Sequence, residues 1–425
     1  MENFQIERRT VKDTDVFIGS KIVKEILPRV RTVFEEGALF VVYEEEQKEV
    51  AEALMQELKR GGYRVFASEI KADDWGGESV DIGAIPEYVR FVFGVGEARA
   101  ARVAKKVCRA KNIDWNLYMC TPSCDEIMQE NCPKQVFIDT DIIDKSPKAC
   151  VASGYGLLLA KAFSTFEAVF ASKVLSIEKQ RNAVDEKQSN ANGNQKSETF
   201  ERQAYETDNQ ASVADERQAS ARADKQTGMG AEKQLNLTVC ARVDNAELAY
   251  MLLKASSEKC GDDSADKMAK LLFAKAMAQG KKPRLLGEYK FLCACLITAF
   301  YSAFLGAPSI DAMPPSCVSD ALDEIASLPL GTSNKGKCVD FFDINGYFRI
   351  NYILSEYRMD LLEKLSGIDL HGMQRFWRRL YPDAGYWLKS EISAKEMLHM
   401  LSLAGAQSDN LLGYAYASGI LKKIG

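Results

Sequence analysis

"VRFVFGVGEARAARVAKKVCRA" (89–110) is the stretch whose reading decides the fold. Its opening residues are apolar and β-prone apart from Arg90. Gly94 and Gly96 then break the run, and alanine, valine, lysine and arginine recur with a helical period. A strand that passes through a glycine turn into a helix opens a βαβ unit. The pattern repeats on both sides. "LFVVY" (39–43) precedes a glutamate-rich amphipathic stretch over 45–60 that closes on Gly61-Gly62. "YRVFAS" (63–68), "WNLYM" (115–119) and "QVFID" (135–139) read as further strands. Strands alternating with helices predict a mostly parallel, Rossmann-like sheet, and residues 1–146 are read as an α/β, nucleotide-binding-like domain.

From Pro147 onward the pattern turns helical. Pro147 suits a first helical turn, and 147–176 reads as helix interrupted by a glycine turn at Gly154 and Gly156. Amphipathic stretches follow at 243–256, 264–279, 287–305, 316–327, 349–366 and 393–404. The expected class is thus α/β plus all-α, with a helical domain over 147–425. Residues 178–236 stand apart: they are polar, nearly free of large aliphatics and punctuated by EKQ, ERQ and DKQ triplets. That composition buries too little apolar surface to offset chain entropy, so a disordered or loosely helical insertion is expected there.

Bulk properties narrow the function classes. The chain has 425 residues, 46% apolar and 27% charged, with a net charge of −5. No concentrated basic face is expected, which argues against nucleic acid or a membrane surface as partner. No stretch reads as the ~20 apolar residues of a spanning helix, and the polar start "MENFQIERRT" lacks a signal-peptide core. Eleven cysteines without a regular framework suit reduced thiols, so a cytoplasmic location is expected. Cys120, Cys124 and Cys132 cluster in sequence but lack the spacing and fourth ligand of a zinc site.

Three segments carry candidate chemistry. "GVGEARAARVAK" (94–105) either presents N–H groups to a phosphate, with Gly94, Gly96, Arg102 and Lys105 as binding residues, or is a plain strand-to-helix turn. Glu97 is an anion at that supposed anion site. "CTPSCDEI" (120–127) puts Thr121, Ser123 and Asp125 after a strand, where they face a ligand cleft or cap a helix. "VFIDTDIIDKSPKACVASGYGLLLAKAF" (136–163) is the third.

This last segment resembles the iron-containing alcohol dehydrogenase and dehydroquinate synthase superfamily, most closely its sn-glycerol-1-phosphate dehydrogenase branch. Asp139, Pro147, Gly154, Gly156 and Lys161 fall in the family's register. Gly94, Gly96 and Lys105 match its pyrophosphate loop, and Pro122, Ser123 and Asp125 its substrate-side loop, with Lys161 also on the substrate side. "LLGEYKFLCACLITAFY" (285–301) resembles the helix bearing a His-Gly-Glu motif, and "SAKEMLHMLSLAGA" (393–406) a late helix. The resemblance implies an NAD(P) cofactor, a divalent metal, and interconversion of dihydroxyacetone phosphate and glycerol 1-phosphate.

The departures fall on the metal. Leu157 stands where the family has a metal-binding Asp, and Leu286 where it has the His of His-Gly-Glu, leaving Gly287 and Glu288. The remaining ligand would lie in 256–270, which offers Lys259 and Lys267 but no histidine. Only His371 and His399 exist. His371, in "DLHGMQRFW", is a ligand only if the register is wrong and is otherwise a surface or capping residue; His399 is read as structural. No metal is therefore expected, and catalysis is expected to be lost or impaired. Three readings stay open: a noncatalytic homologue binding a phosphorylated small molecule or nicotinamide nucleotide, an active NAD(P)-dependent polyol or alcohol dehydrogenase with an altered site, and a subunit pairing with a paralogue or its own copy.

Overall fold

The computed structural model describes residues 6–70, 80–123, 127–128, 130–170 apart from 162 and 165, 243–257, 263–281, 285–307, 344–380 and 392–417 apart from 409, with a few isolated positions. The 178–236 insertion, Cys124, Asp125, Lys259 and nearly all of the helix expected at 316–327 lie outside them.

Seven strands form one sheet: β1 Glu7–Val11, β2 Thr14–Gly19, β3 Ala38–Glu44, β4 Arg64–Ile70, β5 Val89–Gly96, β6 Asp114–Met119 and β7 Gln135–Asp139. Their order across the sheet is β1-β2-β7-β6-β5-β3-β4. Every neighbouring pair is parallel except β1 with β2. The parallel strands carry near-continuous apolar runs because helices cover both faces. Phe40 and Val42 of β3 pack with Ala100, Ala104 and Val107 of α3 (Ala98–Lys111). Leu39 and Val41 point the other way, toward Ala51, Leu54 and Leu58 of α2 (Lys48–Arg60) and Ile26 and Val30 of α1 (Ile26–Val30). The helix expected over 45–60 opens as a short 3-10 turn, Glu45–Gln47, before α2 begins.

β3 pairs with β4 on one side and β5 on the other, so the chain winds outward in both directions from this pair. At such a reversal, outside the carboxyl ends of β3 and β5, open parallel sheets have the crevice in which they place their ligands. The N-terminal hairpin was not expected from sequence. β1 is an exposed edge, and Arg8 holds it to β2 through a two-pronged contact with Asp15.

After β7 the structure is helical: α4 Thr140–Ile143, α5 Lys148–Phe170, α6 Asn245–Ser257, α7 Ser264–Ala278, α8 Leu286–Gly306, α9 Ile344–Ser366, α10 Leu370–Leu380, α11 Ala394–Ala406 and α12 Leu411–Ala417. α6 also serves the sheet: Ala246, Ala249 and Leu253 enter the core on the α3 side, and Arg9 bonds Glu247 at 2.6 Å while lying over the Tyr250 ring.

Two expectations are corrected. α5 and α8 are long and apolar enough by length and composition to span a membrane, yet 88% and 61% of their apolar windows are buried inside the protein. They are apolar all round because they run through the helical core. The glycine turn at 154–156 does not exist either: both residues lie inside α5. Their reason is contact. A Cβ on Gly154 would stand 1.9 Å from the carbonyl oxygen of Pro122, and one on Gly156 would stand 2.1 Å from that of Gly287. Gly287, in the first turn of α8, is equally tight against the carbonyl of Ser153. Glycine lets two helix backbones touch where any side chain would wedge them apart.

Candidate functional site

The crevice between β3 and β5 is built from strand ends. β3 finishes on Glu44, which is 4% exposed. β5 finishes on Gly96, whose φ of +142° favours glycine, and Glu97 then stands at the N-cap position of α3 without a capping bond from its own side chain. The first N–H groups of a helix lack internal partners. Here they find Glu44: its Oε1 accepts from the backbone N–H of Glu97 at 3.0 Å and of Ala100 at 2.9 Å. A Cβ on Gly96 would sit 3.0 Å from the same oxygen, so the space beside the glycine belongs to this carboxylate.

Glu97 is the second acid of the crevice. The Cys150 thiol donates to its Oε1 at 3.4 Å, and the Ser123 hydroxyl to its Oε2 at 3.5 Å. Ser123 also pairs with Thr121 at 2.7 Å. Burial raises the Glu97 carboxyl to about 7, and repulsion from Glu44 adds to the rise. Burial also raises Glu44, against the pull of the two N–H groups. Two carboxyl groups this close and this dry cannot both hold a charge cheaply. At neutral pH the pair therefore carries a proton for part of the time.

The remaining residues expected in the cofactor loop are arranged otherwise. Gly94 is a packing glycine, since a Cβ there would meet the Ala100 carbonyl and the Ala104 methyl, each at 3.1 Å. Arg102 is exposed, and half-buried Lys105 lies seven residues into α3, roughly 10 Å along its axis from the first turn. Of the substrate-side set, Ser123 is buried in the loop that the Pro122 carbonyl packs onto Gly154, and Lys161 is half-buried on α5. Asp139 is 2% exposed and structural: it caps α4 through the Asp141 N–H and holds Ile22 N–H and the Tyr118 hydroxyl.

The positions that the resemblance gives to a metal are of another kind. Leu157 is 3% exposed and packs with Tyr155, Leu158, Leu248 and Leu252. Leu286 opens α8 beside Gly287, one residue from the glycine crossing that also borders Leu157. Leu157 and Leu286 thus each follow or precede a glycine of one helix crossing, while their side chains pack into different apolar clusters. Lys267 of α7 gives its ammonium to the Gln407 carbonyl at 2.9 Å. α7 and α8 are joined by a buried ion pair, Lys290 Nζ to Asp266 Oδ1 at 2.6 Å, with Lys270 on the other carboxylate oxygen at 2.6 Å. Burial pushes Asp266 up, but the two ammonium groups outweigh it and hold the acid well below the usual range. Leucine carbon and ammonium offer a divalent ion no lone pair, so the residues at these positions do not fit a metal. Among the described residues no group of three or more His, Cys, Asp or Glu side chains stands together as a metal set. Cys120 and Cys150 are buried free thiols, and Cys132 is half-buried.

Neither histidine sits in the crevice elements. His371 is exposed in the first turn of α10, as a surface residue should be, and His399, expected as structural, is also exposed, on α11. A cavity of about 660 Å³, lined by Asp13, Arg90, Asp114, Trp115 and Lys134, opens at the opposite, amino-terminal ends of the strands. Sequence reading missed Glu44 altogether. Its only signal was a carboxylate at the end of a strand that borders the glycine loop.

No protein-family model matches this chain. No curated protein matches it either. Solved structures similar to it include a maleylacetate reductase from Rhizobium sp. strain MTP-10005, at 12% identity over all of this chain and 98% of that one, with a TM-score of 0.49. A glycerol dehydrogenase from Schizosaccharomyces pombe is similar at 13% identity over 90% of this chain and 94% of that one, with a TM-score of 0.44. A 1,3-propanediol oxidoreductase is similar at 10% identity over 99% of both chains, with a TM-score of 0.49.

Proposed function

We propose that this chain is a diverged relative of the metal-dependent polyol and alcohol dehydrogenases, closest to the glycerol-1-phosphate branch, that no longer performs metal-assisted hydride transfer. It acts as a noncatalytic binding protein or as a subunit beside an active partner. The observation that carries this reading is that Leu157, buried among apolar side chains, and Leu286 stand next to the two glycines of the α5–α8 crossing, where the resemblance calls for a carboxylate and an imidazole. The helices expected to supply the histidines are bridged instead by Lys290 and Asp266. A buried, hydrogen-bonded ion pair there does the joining that a metal would do. Removing one partner would leave an uncompensated charge in the core.

The test is elemental analysis together with assays on glycerol, glycerol 1-phosphate and dihydroxyacetone phosphate, with NAD(P)(H) and added zinc, iron or nickel. The expected result is no stoichiometric metal and no turnover above background. About one equivalent of metal, with activity lost on chelation or on mutating His371, would overturn the reading. A restoration variant sharpens it: Leu157→Asp, Leu286→His and Lys267→His together should bind zinc where the parent does not. Leu157→Asp alone should lower stability by about 3 kcal/mol or more, because it buries an unpaired carboxylate among apolar side chains.

A further inference from the structure

Dinucleotides are held in folds of this kind by a pyrophosphate set against the free N–H groups of a helix start, over a glycine that lets the backbone come close. The crevice between β3 and β5 has each of these parts, and each is already engaged. Glu44 Oε1 takes the N–H of the N-cap residue Glu97 and of Ala100 in the first turn, donors of the kind a phosphate oxygen would use. Its carboxylate carbon and oxygen lie 3.1 and 3.0 Å from the Cβ position of Gly96, filling the approach that the glycine leaves open. The next side chain toward the cleft is a second acid, Glu97, flanked by Cys150 and Ser123. A dinucleotide does not fit these residues as they stand: it would have to displace one buried carboxylate and lie against another.

We propose that Glu44 is a built-in substitute for the nucleotide phosphate, so that its carboxylate and a dinucleotide compete for the same N–H groups at the start of α3. The carboxylate comes from β3, 53 residues before the helix it caps, and is tethered, so it holds the site without any cost of association. This deepens the reading of a noncatalytic chain and rests on it for the choice of ligand. The two are tested apart, because metal content reports on α5, α7 and α8 while nucleotide binding reports on β3 and α3.

The experiment is titration calorimetry of the full chain with NADH, NADPH and inorganic pyrophosphate, for the native protein, Glu44→Ala and Glu44→Gln, with folding of each checked by circular dichroism. The native protein is expected to bind weakly, with Kd near or above the millimolar range. Glu44→Ala is expected to tighten NADH and pyrophosphate binding at least tenfold, and Glu44→Gln to tighten it by less, since the amide keeps its bulk but sheds the charge. Should Glu44→Ala fail to fold, Glu44→Gln decides by the same sign. Native binding as tight as that of the variants would overturn the proposal. So would folded variants that bind no better than the native chain.

Discussion

Gly156→Ala should destabilise the protein by about 3 kcal/mol or more, although alanine in place of glycine inside an isolated helix would stabilise it by about 1 kcal/mol. The sign reverses because the new methyl has nowhere to go. Its position is 2.1 Å from the Gly287 carbonyl oxygen, and that oxygen is backbone, so no rotamer change can clear it. α5 and α8 would have to part, which opens the packing around Phe291 and Trp377, stacked 4.6 Å apart nearby. Gly154→Ala should behave alike against Pro122. Gly306→Ala, with nothing within 4 Å of its Cβ position, should be near neutral. Thermal melts of the three variants provide the check: a drop of roughly 10 °C is expected for the two crossing positions. Combining Gly156→Ala with Gly287→Ala should cost less than the sum, because the first substitution already separates the helices. Melting temperatures unchanged at Gly154 and Gly156 would show that the helices do not meet there.

Glu167→Ala should lose at least as much, and Glu167→Gln should change the pH dependence rather than the fold. Glu167 lies wholly inside the helical core. Its Oε1 accepts from the Tyr301 hydroxyl at 2.6 Å, and its Oε2 from the Ser264 N–H at 2.7 Å and the Asn410 amide at 2.9 Å. One carboxyl thereby ties α5 to α8, to the start of α7 and to the start of α12. Truncation orphans three buried donors at about 1–3 kcal/mol each, besides leaving a cavity. Burial first, and then repulsion from Asp263, which caps α7 through the Asp266 N–H and also accepts from Ser164, raise the Glu167 carboxyl from 4.5 to about 7. The folded state thus binds a proton that the unfolded state releases earlier. The stabilisation is complete below about pH 4.5 and is lost as pH rises through the raised folded-state value. Glutamine keeps an acceptor for the Ser264 and Asn410 donors and cannot titrate. Its stability curve should be flatter between pH 4.5 and 7, with the parts due to Glu97 and Asp263, both also raised by burial, remaining. Parallel curves for Glu167→Gln and the native chain would contradict the assignment.

The sheet was legible in the sequence because its strands are buried on both faces. "LFVVY", "VRFVFGVG", "WNLYM" and "QVFID" show mostly apolar runs bounded by turns, and the structure places β3, β5, β6 and β7 on them. Helices at 243–256, 264–279, 349–366 and 393–404 were legible from apolar residues of helical period, and 287–305 from the length of its apolar run. "ERRTV" at the exposed edge carries no such signal, and β1 went unread. That Leu157, Leu286 and Lys267 offer no carboxylate or imidazole is likewise a matter of side-chain chemistry, which a sequence states outright.

What the sequence could not decide is what each glycine and each acid is for. Gly154 and Gly156 read as a turn because a glycine that bends a chain and a glycine that admits a neighbouring backbone are the same letter. Only the carbonyls of Pro122 and Gly287, far off in the chain, tell them apart. Glu44 looked like one more acid before an amphipathic helix, and Gly94, Gly96, Arg102 and Lys105 looked like a phosphate loop. Tertiary structure set the end of β3 beside the end of β5, and there a carboxylate meets the unpaired N–H groups of α3. Periodicity and composition are properties of neighbours along the chain, and they determined the elements. Who satisfies a helix's free donors, and which backbone presses on which glycine, depends on neighbours in space.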